Sequence, residues 1–370
     1  AAKEAARERI IDEYGTSAVW LGGVPLLNKA TDIFIKKQGY APEINIKLFE
    51  ETQSQGLNLN IEKFKDKAPD IIEQMKKVKA SKSAYKNLQI LKLFASTAVP
   101  IALMGFVLPK INFLYTKNKN KNKKQNFTNC ISSDIESFGR SINKSKQPSF
   151  KGSAGLANLS NLQKMMILDA GLTIGRVKTG RNKAEKAEMA LKMGLMCYLN
   201  YLAPKNIEKI LNKTAKRIFG ADTSLDIKTL CDKDFMQKIK TGAVMLPKAD
   251  DEKTILDFID AGINSDFVKQ AEKLNLVSIV KNKFRDPRKY VNTDKIAELK
   301  RAVEEFKKEA SASGDFDSFL KKASRAKCFN IISNIVISSF LLAGVLPKIQ
   351  FWFRKKMTNS NIDPGIKKYA

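Results

Sequence analysis

Apolar positions gather into two long uninterrupted runs and several shorter ones, with helical periodicity between them. From Pro69 onward, Ile71, Met75 and Val78 form a stripe among Lys76, Lys77, Lys79 and Lys82, the spacing of an amphipathic helix. That pattern is expected to run unbroken into residues 93–109, seventeen positions without a charge. A second basic helix, capped by Asp315 or Asp317 after the breaker Gly314, leads into 328–347, twenty positions without a charge. At about 1.5 Å per residue, twenty residues reach roughly 30 Å, the thickness of a hydrocarbon core. The run 16–28 has thirteen uncharged residues, too few for a helix to span a bilayer, and reads as a core helix or an interfacial segment.

Helix is also expected over 1–14, about 156–219 and 294–310, with short helices through the mixed stretch 221–290. The fold class is therefore all-α: a helical, membrane-associated chain in which two long apolar helices from an internal repeat flank a basic helical soluble region. The segments read as 1–60, helical or interfacial; 61–116, an amphipathic helix leading into the first membrane helix; 117–157, a basic low-complexity linker; 158–310, helical and soluble; and 311–370, an amphipathic helix leading into the second membrane helix and a basic tail.

The two long runs end alike. Val-Leu-Pro-Lys-Ile-Asn-Phe at 107–113 matches Val-Leu-Pro-Lys-Ile-Gln-Phe at 345–351 in six of seven positions, at an offset of 238. Aromatic residues follow in both copies, then lysines. This order suits a membrane interface: proline where water returns, lysine snorkelling to headgroups, aromatic rings in the interfacial belt, and a basic cluster on anionic lipid. The interface residues are accordingly Pro109, Lys110, Phe113 and Tyr115 in the first copy, and Pro347, Lys348, Phe351, Trp352 and Phe353 in the second. Lys117, Lys119, Lys121, Lys123 and Lys124, with Arg354, Lys355 and Lys356, are the expected contacts to lipid headgroups or another anion. Weaker echoes stand at Gly23-Val-Pro25 and at Leu202-Ala-Pro-Lys205.

A polar stripe recurs inside the runs. Asn330, Asn334 and Ser338 lie at i, i+4 and i+8, and the repeat offset places Lys92, Ser96 and Pro100 opposite them. Small and polar residues on one face are how membrane helices associate, so Ser96, Pro100, Asn330, Asn334 and Ser338 are read as helix–helix packing positions.

Sidedness follows less simply. Flanking charges do not orient the two runs, yet both copies present the same chemistry at the same end, which suggests that Tyr115 and Phe353 share one interface. Either a third crossing lies between them, with 189–204 the one candidate, weakened by Lys192, or some runs dip into the membrane without crossing it.

Charge sharpens this picture. Sixty-six Lys and Arg against 38 Asp and Glu give a net +28, and only 11 of the basic residues are Arg. Lysine suits diffuse attraction to anionic lipid better than bidentate reading of bases. The chain has no histidine, which removes Ser-His-Asp, Cys-His and His-ligated zinc chemistry. Cys130, Cys197, Cys231 and Cys328 have no metal-ligand spacing and suit a reducing compartment. Gly175 and Gly180 have P-loop spacing, but Arg181-Asn182 stands where Lys-Ser/Thr would bind phosphate, so a turn between helices is expected. The acidic run 250–252 reads as a helix start.

No catalytic, cofactor or metal residues emerge. The expected function is a non-enzymatic, membrane-anchored helical protein of a bacterial inner membrane, with a scaffold or envelope role. Its partner is anionic lipid, and a protein is a further candidate. Lysine-rich nucleic-acid binding and a membrane-permeabilising or transport subunit are the alternatives.

Overall fold

The computed structural model describes residues 2–50, 54–121, 161–221 and 224–364. In chain order its helices are α1 (Ala2–Ala18), α2 (Val24–Lys37), α3 (Leu57–Phe64), α4 (Pro69–Ala80), α5 (Lys82–Ala102), α6 (Leu108–Lys121), α7 (Asn161–Thr179), α8 (Lys183–Cys197) and α9 (Ala203–Phe219). After α10 (Ile227–Leu230), α11 (Lys233–Thr241), α12 (Glu252–Ala261) and α13 (Asp266–Lys273) come two antiparallel two-residue strands, β1 (Ile279–Val280) and β2 (Phe284–Arg285). The chain closes with α14 (Thr293–Ala312), α15 (Phe316–Phe340) and α16 (Leu346–Thr358). Among the described residues the fold is all-α but for that strand pair, and two helical stretches, Lys82–Lys117 and Phe316–Thr358, are long and apolar enough to cross a membrane.

The described chain divides into two compact units. One comprises residues 1–39, 83–203 and 339–370; the other comprises 40–82 and 204–338. The basic amphipathic helix expected from Pro69 does not run unbroken into the apolar run. It stops at Ser81, whose backbone leaves the helical region (φ −116°, ψ 40°), at the point where the chain passes between units. The linker expected over 117–157 lies outside the described residues, except that α6 continues as helix through Lys121.

The second unit has an ordinary hydrophobic core. Phe235, Ile239, Ile255, Ile259, Phe267, Ile296, Val303, Phe306 and Phe319 are buried together. Its helices start on side-chain caps that satisfy otherwise orphaned N–H groups: Asp232 accepts from Phe235, Asp251 from Thr254, and Ser265 from Val268. Asp315 accepts from Asp317 and Ser318 at the start of α15. Segment 40–82 is tied in by buried polar groups. Gln55 exchanges two hydrogen bonds with the Val291 backbone, and Asn60 donates to the Pro287 carbonyl.

The first unit is built from long helices that carry a shared irregularity. Five-residue π-turns occupy Val19–Gly23, Leu103–Val107, Tyr198–Leu202 and Leu341–Val345. Each ends two residues before a proline: Pro25, Pro109, Pro204 and Pro347. The cause is the proline ring, which has no N–H to give and would strike the carbonyl four residues earlier. In all four turns the residue before the proline donates instead to the carbonyl five residues back, for example Leu108 to Leu103 and Leu346 to Leu341. That widens the turn and lets the helix continue. The helices therefore run on past Pro109 and Pro347.

Candidate membrane-facing surface and buried polar cluster

The two long apolar helices are sparsely covered by protein. A core helix of a water-soluble protein is mostly covered by protein. Here only 17% of the apolar window in Lys82–Lys117 and 11% of that in Phe316–Thr358 is buried. Leu91, Phe94 and Leu103 on the first, and Ile332, Ile335, Val336 and Phe340 on the second, point outward. Other helices of the first unit add Leu21, Leu26, Met165, Ile174, Tyr198 and Leu202 to the exposed apolar surface.

Contacts fix the direction of each helix in this unit. Glu8 on α1 meets Asn112 and Thr116 on α6, Gly15 meets Leu108, and further along Asp32 on α2 pairs with Lys92 on α5. These pairings are antiparallel. Glu188 on α8 meets Gln350 and Arg354 on α16, and Asn182 donates to the Pro364 carbonyl, which is antiparallel again. Ile101 and Gly105 contact Gly171 and Gly175, so α7 runs parallel to α5. Gly175 is thus in mid-helix and closely packed, and only Gly180 belongs to the turn expected there. A Cβ on Gly175 would lie 2.9 Å from the Gly105 Cα, the close backbone approach that small residues permit between membrane helices. Below this contact Met104, Leu168, Leu172 and Met193 form a small core, with Val19, Trp20 and Met196 against it.

The helix ends beyond Pro109 and Pro347 meet at a buried polar cluster. Arg181 hydrogen-bonds both Glu8 and Glu185 and stacks over the Phe113 ring at 4.1 Å. One turn further along α8, Glu188 takes Arg354 and Gln350. Arg176 donates to Asp12 and Thr16 at 2.8 and 2.7 Å. Burial opposes the charge on Arg181, but its bonds to Glu185 and Glu8 outweigh it and raise the guanidinium pKa. The cluster surrounds a cavity of about 100 Å³.

The sequence-derived interface residues fall around this end. Pro109 is buried, Lys110 and Phe113 are half-buried, and Tyr115 is exposed beneath the Arg7 guanidinium at 4.4 Å. Lys348, Phe351 and Trp352 are exposed, Pro347 and Phe353 half-buried, and the Lys356 ammonium stands 5.2 Å from the Trp352 ring. Lys355 and Lys356 are open to solvent, and Lys117 is half-buried. Arg354 differs from these neighbours. It is 2% exposed and engaged by Glu188 and Asp363, so its guanidinium is not presented to a headgroup. Lys123 and Lys124, and the side chains of Lys119 and Lys121, lie outside the described residues. Pro100 is buried, Ser96 donates to its own helix at the Leu93 carbonyl, and both belong to the first unit. In the second unit Asn330 donates to Asn212 on α9, and Ser338 donates to Asn334.

The buried cluster itself was missed in the sequence. Glu8, Asp12, Glu185 and Glu188 look like solvated helix charges, and only their placement opposite Arg176, Arg181 and Arg354 reveals the network. No protein-family model, no curated protein and no solved structure matches this chain.

Proposed function

We propose that the chain is a non-enzymatic, membrane-anchored helical protein in which the two long apolar helices are the membrane-embedded part and anionic lipid is the partner. The observation that carries this reading is the outward exposure of the two long apolar helices, with 17% and 11% of their apolar windows buried. Water would make such a surface costly at about 25 cal/mol per Å² of apolar area, whereas hydrocarbon accepts it. Lys348, Lys355 and Lys356, beside Phe351 and Trp352, supply the basic and aromatic rim that meets headgroups. A scaffold or envelope role in a bacterial inner membrane fits this character.

We further infer an internal duplication of a two-helix module. Each half holds one π-turn helix leading away from the polar cluster and one leading back to it: α1–α2 and α5–α6 in the first, α8–α9 and α15–α16 in the second. The recurrence of a mid-helix proline in all four of these helices supports this, as does the matched ending at 107–113 and 345–351.

Fractionation with alkaline carbonate extraction tests the membrane reading. The full chain should remain in the membrane pellet after carbonate treatment. Release into the supernatant would overturn the reading, and release by nuclease would favour nucleic-acid binding instead.

A further inference from the structure

The cavity inside the polar cluster has a mismatch in its hydrogen-bond accounting. Its carboxylates are engaged: Glu8 by Arg181 and Thr116, Glu185 by Arg181, Glu188 by Arg354 and Gln350, and Asp12 by Arg176. Asp363 faces Arg9 and Arg354. Beside the part-exposed Arg9, two more cationic groups on the wall, both half-buried, have donors left over. Lys192 lines the cavity with no hydrogen bond or close ion pair among the described residues, and Asp12 and Glu13 act on its charge only through space. Arg176 also lines it, and its Nε–H is buried without an acceptor because the rest of the fork is directed at Asp12 and Thr16.

Buried donors of positive charge seek acceptors, and charge-assisted bonds to an oxyanion are the strong way to supply them. Liquid water occupies about 30 Å³ per molecule, so the void has room for about three waters or one compact polar group. Pro109, Phe113, Met189 and Met193 add apolar lining to the same space, so a ligand is gripped through the charged groups.

We propose that this cavity binds a small oxyanion, a phosphate or carboxylate group, held by Lys192 and Arg176. Free inorganic phosphate and the phosphate of a lipid headgroup share that chemistry. The proposal rests on the ion-pair geometry of the first unit and not on the membrane reading, so carbonate extraction and ligand binding fail separately.

The test is isothermal titration of the full chain, purified in a phosphate-free maltoside detergent, with inorganic phosphate and then with soluble short-chain phosphatidic acid. At least one should bind. Lys192→Met should weaken that binding by about tenfold or more, since it removes a charged donor, while Lys192→Arg retains it. Lys228→Gln, exposed on α10, should change nothing. Circular dichroism melting checks that Lys192→Met is folded; if it is not, Arg176→Lys, which deletes the Nε donor and keeps the charge, should show the loss instead. Binding of phosphate supports a free anion, and binding of phosphatidic acid alone supports a headgroup. No heat from either ligand at millimolar concentration, or undiminished binding in the folded variant, overturns the proposal.

Discussion

Asn112 and Gln350 each stand three residues past a proline and each donate an amide N–H to the helix opposite, Asn112 to the Glu8 carbonyl and Gln350 to the Glu188 carboxylate. Four residues later the correspondence continues, with Thr116 on the Glu8 carboxylate and Arg354 on the Glu188 carboxylate. The two exits thus grip the two outbound helices through equivalent positions with different side chains. Thr116 is neutral and shares Glu8 with Arg181, whereas Arg354 brings its own charge to Glu188.

That difference makes Glu188 the more sensitive position. Its side chain and that of Arg354 are 6% and 2% exposed, so Glu188→Ala leaves a buried guanidinium short of its main partner. Removing one member of a buried pair costs about 3–5 kcal/mol. Glu188→Met combined with Arg354→Met should recover much of the loss, because no uncompensated charge remains. Denaturant titration of both variants in detergent checks this. Equal destabilisation by the single and the double change would show that the pair is not what holds α8 to α16.

Gly175 gives a steric prediction with a built-in control. A Cβ there would come within 2.9 Å of the Gly105 Cα and within 2.9 Å of the Phe106 ring, so backbone must move. Gly175→Ala should destabilise the first unit by about 1–3 kcal/mol, the usual range for overpacking. Gly194, also helical, has nothing within 4 Å of its added Cβ. Gly194→Ala should be neutral, or stabilising by up to about 1 kcal/mol from helix propensity alone. Thermal melts of the two variants should therefore move in opposite directions or differ clearly in size.

The parts of this architecture that were legible in the sequence are those written in local pattern. Runs without charge marked the two long helices, and the ending at 107–113 and 345–351 marked a shared chemistry. Pro25 and Pro204 carried only a faint version of it, since Gly-Val-Pro and Leu-Ala-Pro share little besides the proline and an apolar approach. The π-turn is a response of the backbone to proline inside a helix, so it recurs where side-chain identity does not. Arg354 sits in a basic run and gave no sign of burial, because its partner lies 166 positions away. Gly175 looked like half of a glycine-spaced loop, and its contact with Gly105 is likewise long-range.

Asp232 offers a pH test clear of the apolar helices. Asp232 caps α11 by accepting from Phe235, and its side-chain bond with Lys273 chiefly lowers its carboxyl pKa, with burial opposing. A carboxylate held below its ordinary value of 3.8 stabilises the fold fully above that value and loses the contribution as pH falls through the folded pKa. Stability should therefore drop in acid more steeply for the native chain than for Asp232→Asn. At neutral pH Asp232→Ala should cost about 1 kcal/mol through the lost cap. Urea titrations at neutral pH and below pH 3 compare the slopes; identical acid sensitivity in Asp232→Asn would remove Asp232 as a source.

Insertion can be probed at Val336, 59% exposed in the middle of the second apolar run. An arginine at the centre of a membrane helix costs about 2.5–3.5 kcal/mol on the insertion scale. Val336→Arg should reduce carbonate-resistant membrane association of the full chain, whereas Val336→Leu should not. Unchanged association of the arginine variant would mean that this helix does not cross the hydrocarbon core.

Sidedness follows from the meeting of the exits at α8. Phe113 lies under Arg181, which is bonded to Glu185, and Glu188 on the same helix takes Gln350 and Arg354. Both exits therefore reach the same end of the first unit, and α8 runs antiparallel to α16 there. Lysines follow both prolines, so on the membrane reading this end is expected to face the cytoplasm, where Lys and Arg are retained. Single cysteines at Lys117 and at Ser360, each in a background with Cys130, Cys197, Cys231 and Cys328 changed to Ser, report the two exits. An impermeant maleimide should label neither in intact cells and both after lysis. Labelling of one and not the other in intact cells would put the exits on opposite faces. The halves would then be related by inversion, and the helix directions read from Glu8, Asn112, Glu188 and Gln350 would be wrong.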